Sequence, residues 1–198
     1  MRFLLVGAAL LMGVGPALAQ APEGTPTRIR GTVEKLEGQT LDVKTRTGQI
    51  ARVALGPNFA VSGVARKSLS DIKPGDLVAS TSVRGNDGKL RALEVHFLPP
   101  TANQGQSPYD LAPNSLMTNG AAVGITAGTD GHVLKVNYKG TEEEITVPSD
   151  VPVVAAVPAD TSLVKPGAAI FVAGVRRPDG TVVATRATVE KDGVKPPM

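Results

Sequence analysis

Apolar and polar residues alternate with a period of two along most of this chain. Leu41, Val43 and Thr45 alternate with Asp42, Lys44 and Arg46, which is the pattern of a strand with one face buried. Val53 and Leu55 continue it around Arg52 and Ala54. Leu77, Ala79, Thr81 and Val83 make a further strand, and Leu93, Val95 and Phe97 another. Leu134, Val136 and Tyr138, then Ile145 and Val147, repeat the pattern later in the chain. Gly38-Gln39 and Asn86-Asp87-Gly88 sit between strands, where glycine accepts positive φ and the Asx side chains bond their own backbone. The chain is predicted to be all-β.

The alternation occurs twice because the sequence repeats itself. Lys73-Pro74-Gly75, Leu77-Val78, Val83-Arg84, Asp87-Gly88 and Ala92 return as Lys165-Pro166-Gly167, Ala169-Ile170, Val175-Arg176, Asp179-Gly180 and Ala184, 92 residues later. That period is too long for a solenoid and predicts two copies of one small domain. Each copy reads as three strands, a short irregular or helical stretch (Ala65–Ile72 and Ala159–Val164), a tight Lys-Pro-Gly turn and two strands. Five strands with that insertion predict two tandem barrels, OB-like in shape with an SH3-like barrel as competitor. The expected division is a first barrel at 28–98, a linker rich in Pro, Asn and Gln at 99–117 and a second barrel at 118–191. Disordered ends are expected at 20–27 and 192–198. Within the linker, Tyr109-Asp110-Leu111 stands out as a triplet that should dock on a barrel and set the angle between the domains.

Composition adds an address. Arg2, the apolar run Phe3–Val14 and Ala17-Leu18-Ala19 have the form of a signal peptide over 1–19, with cleavage expected before Gln20. The run is too short to span a membrane comfortably. A periplasmic or secreted protein is therefore expected, with no membrane insertion after cleavage. The chain has no cysteine, so disulfides, thiol chemistry and cysteine-based metal sites are excluded.

Charge divides unevenly. Arg28–Leu98 holds 12 basic and 7 acidic residues, whereas Thr118–Glu190 holds 6 and 8. The basic residues of the first copy (Arg28, Arg30, Lys44, Arg46, Arg52, Arg66, Lys67, Arg84 and Arg91) are expected on one outward face, since several alternate with core positions. Arg46, Arg52, Arg84 and Arg91, with Tyr109, are the candidate ligand-binding residues. Candidate metal ligands are His96, His132, Glu142 and Glu144; of Glu142-Glu143-Glu144, only the first and third can face one side of a strand. A solvated, charged hairpin edge is the plainer reading of that triplet.

The chain has no Gly-x-Ser-x-Gly elbow and no glycine-rich phosphate loop. It has no Trp, and aromatic platforms for nucleic acid are scarce, so no nucleic acid partner is expected. No cofactor is implied.

The order Ile72-Lys73-Pro74-Gly75, Asp87-Gly88 and Ala92-Leu93-Glu94-Val95 resembles a family of exported bacterial β-domains of unknown function. The second copy carries Val164-Lys165-Pro166-Gly167, Asp179-Gly180 and Ala184, and departs at Ala187, which stands where Val95 does. The resemblance covers both copies and implies a fold, with no site residues to carry over. Relatives sometimes bear the label of a metal transporter permease, which a chain without spanning helices after its signal does not support.

The expected function is that of an exported, non-enzymatic periplasmic binding or adaptor module. Its partner would be an envelope protein, polymer or small ligand, and the basic face of the first copy would be its recognition surface. The alternative is a soluble metal-handling accessory protein built on the two histidines and the 142–144 carboxylates.

Overall fold

A computed structural model describes residues 24–197; the signal-peptide expectation lies outside them. The described residues form twelve strands: β1 (Thr25–Glu37), β2 (Thr40–Thr45), β3 (Ile50–Lys67), β4 (Leu77–Arg84), β5 (Leu90–Phe97), β6 (Gly105–Pro108), β7 (Leu116–Gly128), β8 (Gly131–Tyr138), β9 (Thr141–Val147), β10 (Val153–Pro158), β11 (Ala169–Arg176) and β12 (Val182–Val189). Single 3-10 turns at Leu69–Asp71 and Thr161–Leu163 precede the two Lys-Pro-Gly turns. The first is capped in both directions, Ser68 Oγ accepting from Ser70 and the Asp71 carboxylate accepting from the Ser68 N–H. Gly75 and Gly167 take φ of +92° and +90°, as the turn reading requires.

The predicted alternation sets the register in β2 and at the start of β3, whereas in β4 it is Val78 that enters the core, and the predicted Leu77 and Val83 are only partly buried. Leu41, Val43 and Val53 point inward and are fully buried, while Asp42 pairs with Arg52 on the outer side. Strands β1, β2, β3, β12 and β11 close into one barrel, every pairing antiparallel except β3 with β12. The other seven strands lie outside it in the same continuous sheet.

The barrel corrects the expectation that each copy closes on its own strands. Its first three strands come from the first copy and its last two from the second. The reciprocal pairing also occurs: β4 and β5 of the first copy join β7, β8 and β9 of the second, through β4–β7. The Lys-Pro-Gly turns latch this exchange. Gly167 N donates to Val33 O at 2.9 Å and Gly75 N to Ala122 O at 2.8 Å, each reaching the first strand of the other copy.

The length of β3 explains the exchange. Eighteen residues of strand extend about 60 Å at roughly 3.3 Å each, far past the barrel they start in. The outer part, Ser62–Lys67, pairs antiparallel with β10, and the chain then delivers β4 into the second set. The sequence reading followed this strand only through Val53 and Leu55; the strand continues through Gly56-Pro57 with a register shift against β12.

Each hydrophobic core accordingly draws on both copies. One joins Ile29, Val33, Leu41, Val43 and Val53 to Ile170, Val172, Ala184 and Val189; the other joins Val78, Leu90 and Val95 to Leu134, Val136, Ile145 and Val147. Both supposed ends are structured where described. β1 begins at Thr25, and after β12 a Lys191–Val194 bridge leads to a buried Pro196. No helix among the described residues is long and apolar enough to cross a membrane.

Candidate functional site

On β1, Ile29 and Val33 enter the barrel core, so Arg28 and Arg30 lie on the outer face. Arg30 stands opposite Phe171 of β11. A buried guanidinium in that position needs partners, and the linker supplies them. Tyr109 lies over Arg28 and Arg30, with their guanidinium carbons 4.6 and 5.2 Å from the ring centroid, and the Phe171 centroid stands 4.9 Å from the guanidinium carbon of Arg30. Arg30 Nη2 donates to Asp110 Oδ1 at 3.1 Å, and Arg28 stands 3.9 Å from the same oxygen. Arg46 Nη1 donates to Leu111 O at 3.5 Å. Arg30 is 7% exposed, and its Nε is buried without a partner. Desolvated cation–π contacts of this kind contribute about 2 kcal/mol.

Burial alone would raise the Asp110 carboxyl. The bond from Arg30, with the charges of Arg30 and Arg28, outweighs it and holds the group below its usual value. Burial pushes the Tyr109 hydroxyl up; Arg30 opposes this and the nearby Glu94 adds to it. The triplet is held in place by its own loop. Tyr109 N donates to Ser115 O at 2.8 Å, and the buried Ser115 hydroxyl lies within hydrogen-bond distance of Tyr109 O and Ala112 O. Before the triplet, β6 pairs with β7. The linker triplet thus docks on the barrel, as its composition suggested.

Beside this strap an open groove of about 560 Å³ runs along β1 and β2, lined by Thr32, Glu34, Lys44, Arg46 and the turn residues Pro166 and Gly167. Residues 25–67 and 169–190, which hold the barrel strands, contain eleven basic and five acidic residues; 77–97 and 116–158 contain five and seven.

The basic residues of the first copy do not form one face. Arg84 and Arg91 leave with β4 and β5 for the second set. Arg91 forks onto Asp87 at 2.9 and 3.0 Å, and Arg84 donates to Gly88 O at 2.6 Å and approaches Glu143 at 3.8 Å. Arg52 forks onto Asp42 at 2.9 and 3.0 Å. Of the five candidate ligand-binding residues, Arg46 and Tyr109 are brought together and the other three are engaged locally.

The candidate metal ligands do not converge as one set: the two carboxylates share a lysine, and the two histidines lie elsewhere. Glu142 and Glu144 both face Lys135, at 3.8 and 3.2 Å. His132 lies at the start of β8, in a groove with Leu69, Ile72, Lys73 and Ile125. His96 stands on β5 with its Nδ1 3.9 Å from Glu94 Oε1; burial lowers its pKa, and the Glu94 charge partly opposes this. Among the described residues no group of three or more His, Asp or Glu side chains converges as a metal site would require. The Thr81 hydroxyl, fully buried, already donates to Glu94.

Sequence reasoning placed Arg28, Arg30 and Arg46 on the recognition face and Tyr109-Asp110-Leu111 in a docking triplet, but did not join the two and missed Phe171. The available signal was the pair Arg28 and Arg30 flanking Ile29, two like charges on one face of a strand with no acidic residue nearby in sequence. No protein family, curated protein or solved structure matches this chain.

Proposed function

We propose that this chain is an exported, non-enzymatic binding or adaptor module of the periplasm, and that its barrel recognises an anionic partner, either an envelope protein or an acidic polymer. One observation carries the reading. Strand exchange gathers basic residues from both copies onto a single barrel, beside an open groove lined by Lys44 and Arg46, and such a field draws anions and speeds their encounter. In the same reading, the second set of five strands acts as a second OB-like barrel that supports the first. The n-, h- and c-regions of residues 1–19 support export.

The test is a thermal-shift titration of residues 20–198 with acidic and neutral oligosaccharides, at low and at physiological salt. A ligand that binds only the folded chain stabilises it by about 2.7 kcal/mol at 100 times its dissociation constant. The acidic ligand should raise the melting temperature, more at low salt, and Lys44→Glu with Arg46→Glu should remove the rise. Equal responses to acidic and neutral ligands would overturn the reading.

A further inference from the structure

The strap lays one carboxylate, that of Asp110, against Arg30 and Arg28 on the barrel. We infer that the Arg28, Arg30 and Arg46 face is a recognition site for a peptide segment of a partner protein in which an aromatic residue precedes a carboxylate, and that Tyr109-Asp110-Leu111 is its resident occupant. The inference rests on the anion-binding reading above and names the ligand class.

Three guanidinium groups meet the triplet, yet it supplies one carboxylate, which accepts from Arg30 Nη2 and lies near Arg28. The face keeps an excess of positive charge. Arg30 also keeps a buried Nε with no partner, and such an orphan donor in a native fold calls for a reason. A carboxylate that accepts from both Nε and Nη2 would complete the side-on fork by which arginine binds such groups. Asp110 takes one of the two, so the resident is an incomplete fit and a freely placed carboxylate can do better. The ring of Tyr109 lies within cation–π distance of both Arg28 and Arg30, which sets the requirement for an aromatic residue next to the acid.

The strap can leave without unfolding its site. Its loop is closed by its own bonds between Tyr109, Ala112 and Ser115, whereas the face beneath is formed by paired strands of the barrel. Asp110 is half exposed, at 46% of its side chain. A tethered occupant acts at an effective concentration in the millimolar range, so a free peptide competes poorly until the strap is emptied.

The probe is a fluorescein-labelled peptide reproducing residues 108–113, with a second peptide carrying Asn in place of the Asp. Anisotropy is measured on residues 20–198 and on the Tyr109→Ala, Asp110→Ala variant. The emptied protein should bind the Asp peptide about tenfold or more tightly than the unmodified chain does. It should discriminate against the Asn peptide, and Arg30→Met in the emptied background should abolish binding. Should the double variant lose its cooperative melt, Asp110→Ala alone carries the same comparison. A folded, emptied protein that binds the probe no better than the unmodified chain, or binds both peptides alike, overturns the inference. If acidic oligosaccharides still bind in that case, the anion-binding reading stands and only the peptide assignment fails. If the probe binds and the oligosaccharides do not, the assignment stands and the polymer arm falls.

Discussion

The barrel and the second set of strands are assembled from the same repeat in the same order, yet they differ in how they end. In the barrel, β12 runs beside β3 over seven residue pairs. In the second set, β5 meets β9 over two pairs, Leu90 with Ile145 and Arg91 with Thr146, and meets β10 over three. The cause is local. Where β3 runs on through Gly56 and Pro57, the second copy has Pro148 and Pro152 bracketing Ser149-Asp150-Val151. Two residues without an N–H, four apart, break the ladder, and one long strand becomes β9 and β10. Charge separates the regions as well, the barrel being basic and the second set mildly acidic. Repetition therefore fixed the order of pairing, while a few substitutions decided which region closes fully and which carries positive charge.

The strongest way to break this comparison is to cut the chain between the copies. Residues 20–98 alone lack β11 and β12, and residues 99–198 lack β4 and β5, so neither fragment can complete a core. Each should show no cooperative thermal unfolding by circular dichroism, and mixing the two should restore it. A fragment that melts cooperatively as a monomer would show that the exchange is dispensable.

Truncating matched core residues comes next. Leu41 in the barrel and Leu134 in the second set are both fully buried, and each Leu→Ala change should cost about 3 kcal/mol in denaturant titrations. Because each core contains strands of both copies, either change should shift one common transition. Two separate transitions would mean that the regions are energetically independent.

Matched glycines give a finer contrast. A Cβ at Gly31 would lie 2.1 Å from Lys44 O, whereas one at Gly120, the corresponding position of β7, would lie 2.8 Å from Asn137 O. Gly31→Ala should cost about 2 kcal/mol and Gly120→Ala about 1 kcal/mol. Equal costs would show that the barrel gives way as readily as the looser set.

Ionisation supplies the smallest effects. The folded Asp110 carboxyl lies below its ordinary value, so its contribution is complete above the unfolded pKa and is lost as pH falls through the folded one. Asp110→Asn should therefore flatten the acid limb of the stability curve and lower stability at neutral pH. Asp87 is held at about 2 by the fork from Arg91, with help from the Lys89 N–H. Its contribution should fade between about pH 4 and pH 2. Being exposed, it should change the melting temperature far less than Asp110 does. An Asp87→Asn variant with the larger acid-limb change would reverse that order.

Much of this fold was legible in the chain. Alternation placed Leu41, Val43, Val53, Leu134 and Val136 in cores where they are buried, and Gly88 of the Asn86-Asp87-Gly88 turn has the positive φ predicted. The aromatic and aliphatic residues of the linker pointed to docking, which the contacts of Tyr109 and Asp110 realise. The strand ends were less legible. Strand β3 was legible only through Leu55, and the polar termini hid the start of β1 at Thr25 and the burial of Pro196. Of the candidate site, the basic face and the linker triplet were each legible, while Arg30, Asp110 and Phe171 became a unit only through the pairing of β1 with β11 and the path of the linker.

The sequence by itself determined what each residue does relative to its neighbours: which side of a strand it faces, where the chain turns, and that the pattern occurs twice. These follow from the two-residue period of a strand and from the dihedral preferences of proline and glycine. Only the tertiary structure decided which strands pair across the repeats, because a ladder is formed with residues distant along the chain and identical patterns fit either copy. The length of β3 resolved that choice, and with it set Phe171 of the second copy beside Arg30 of the first.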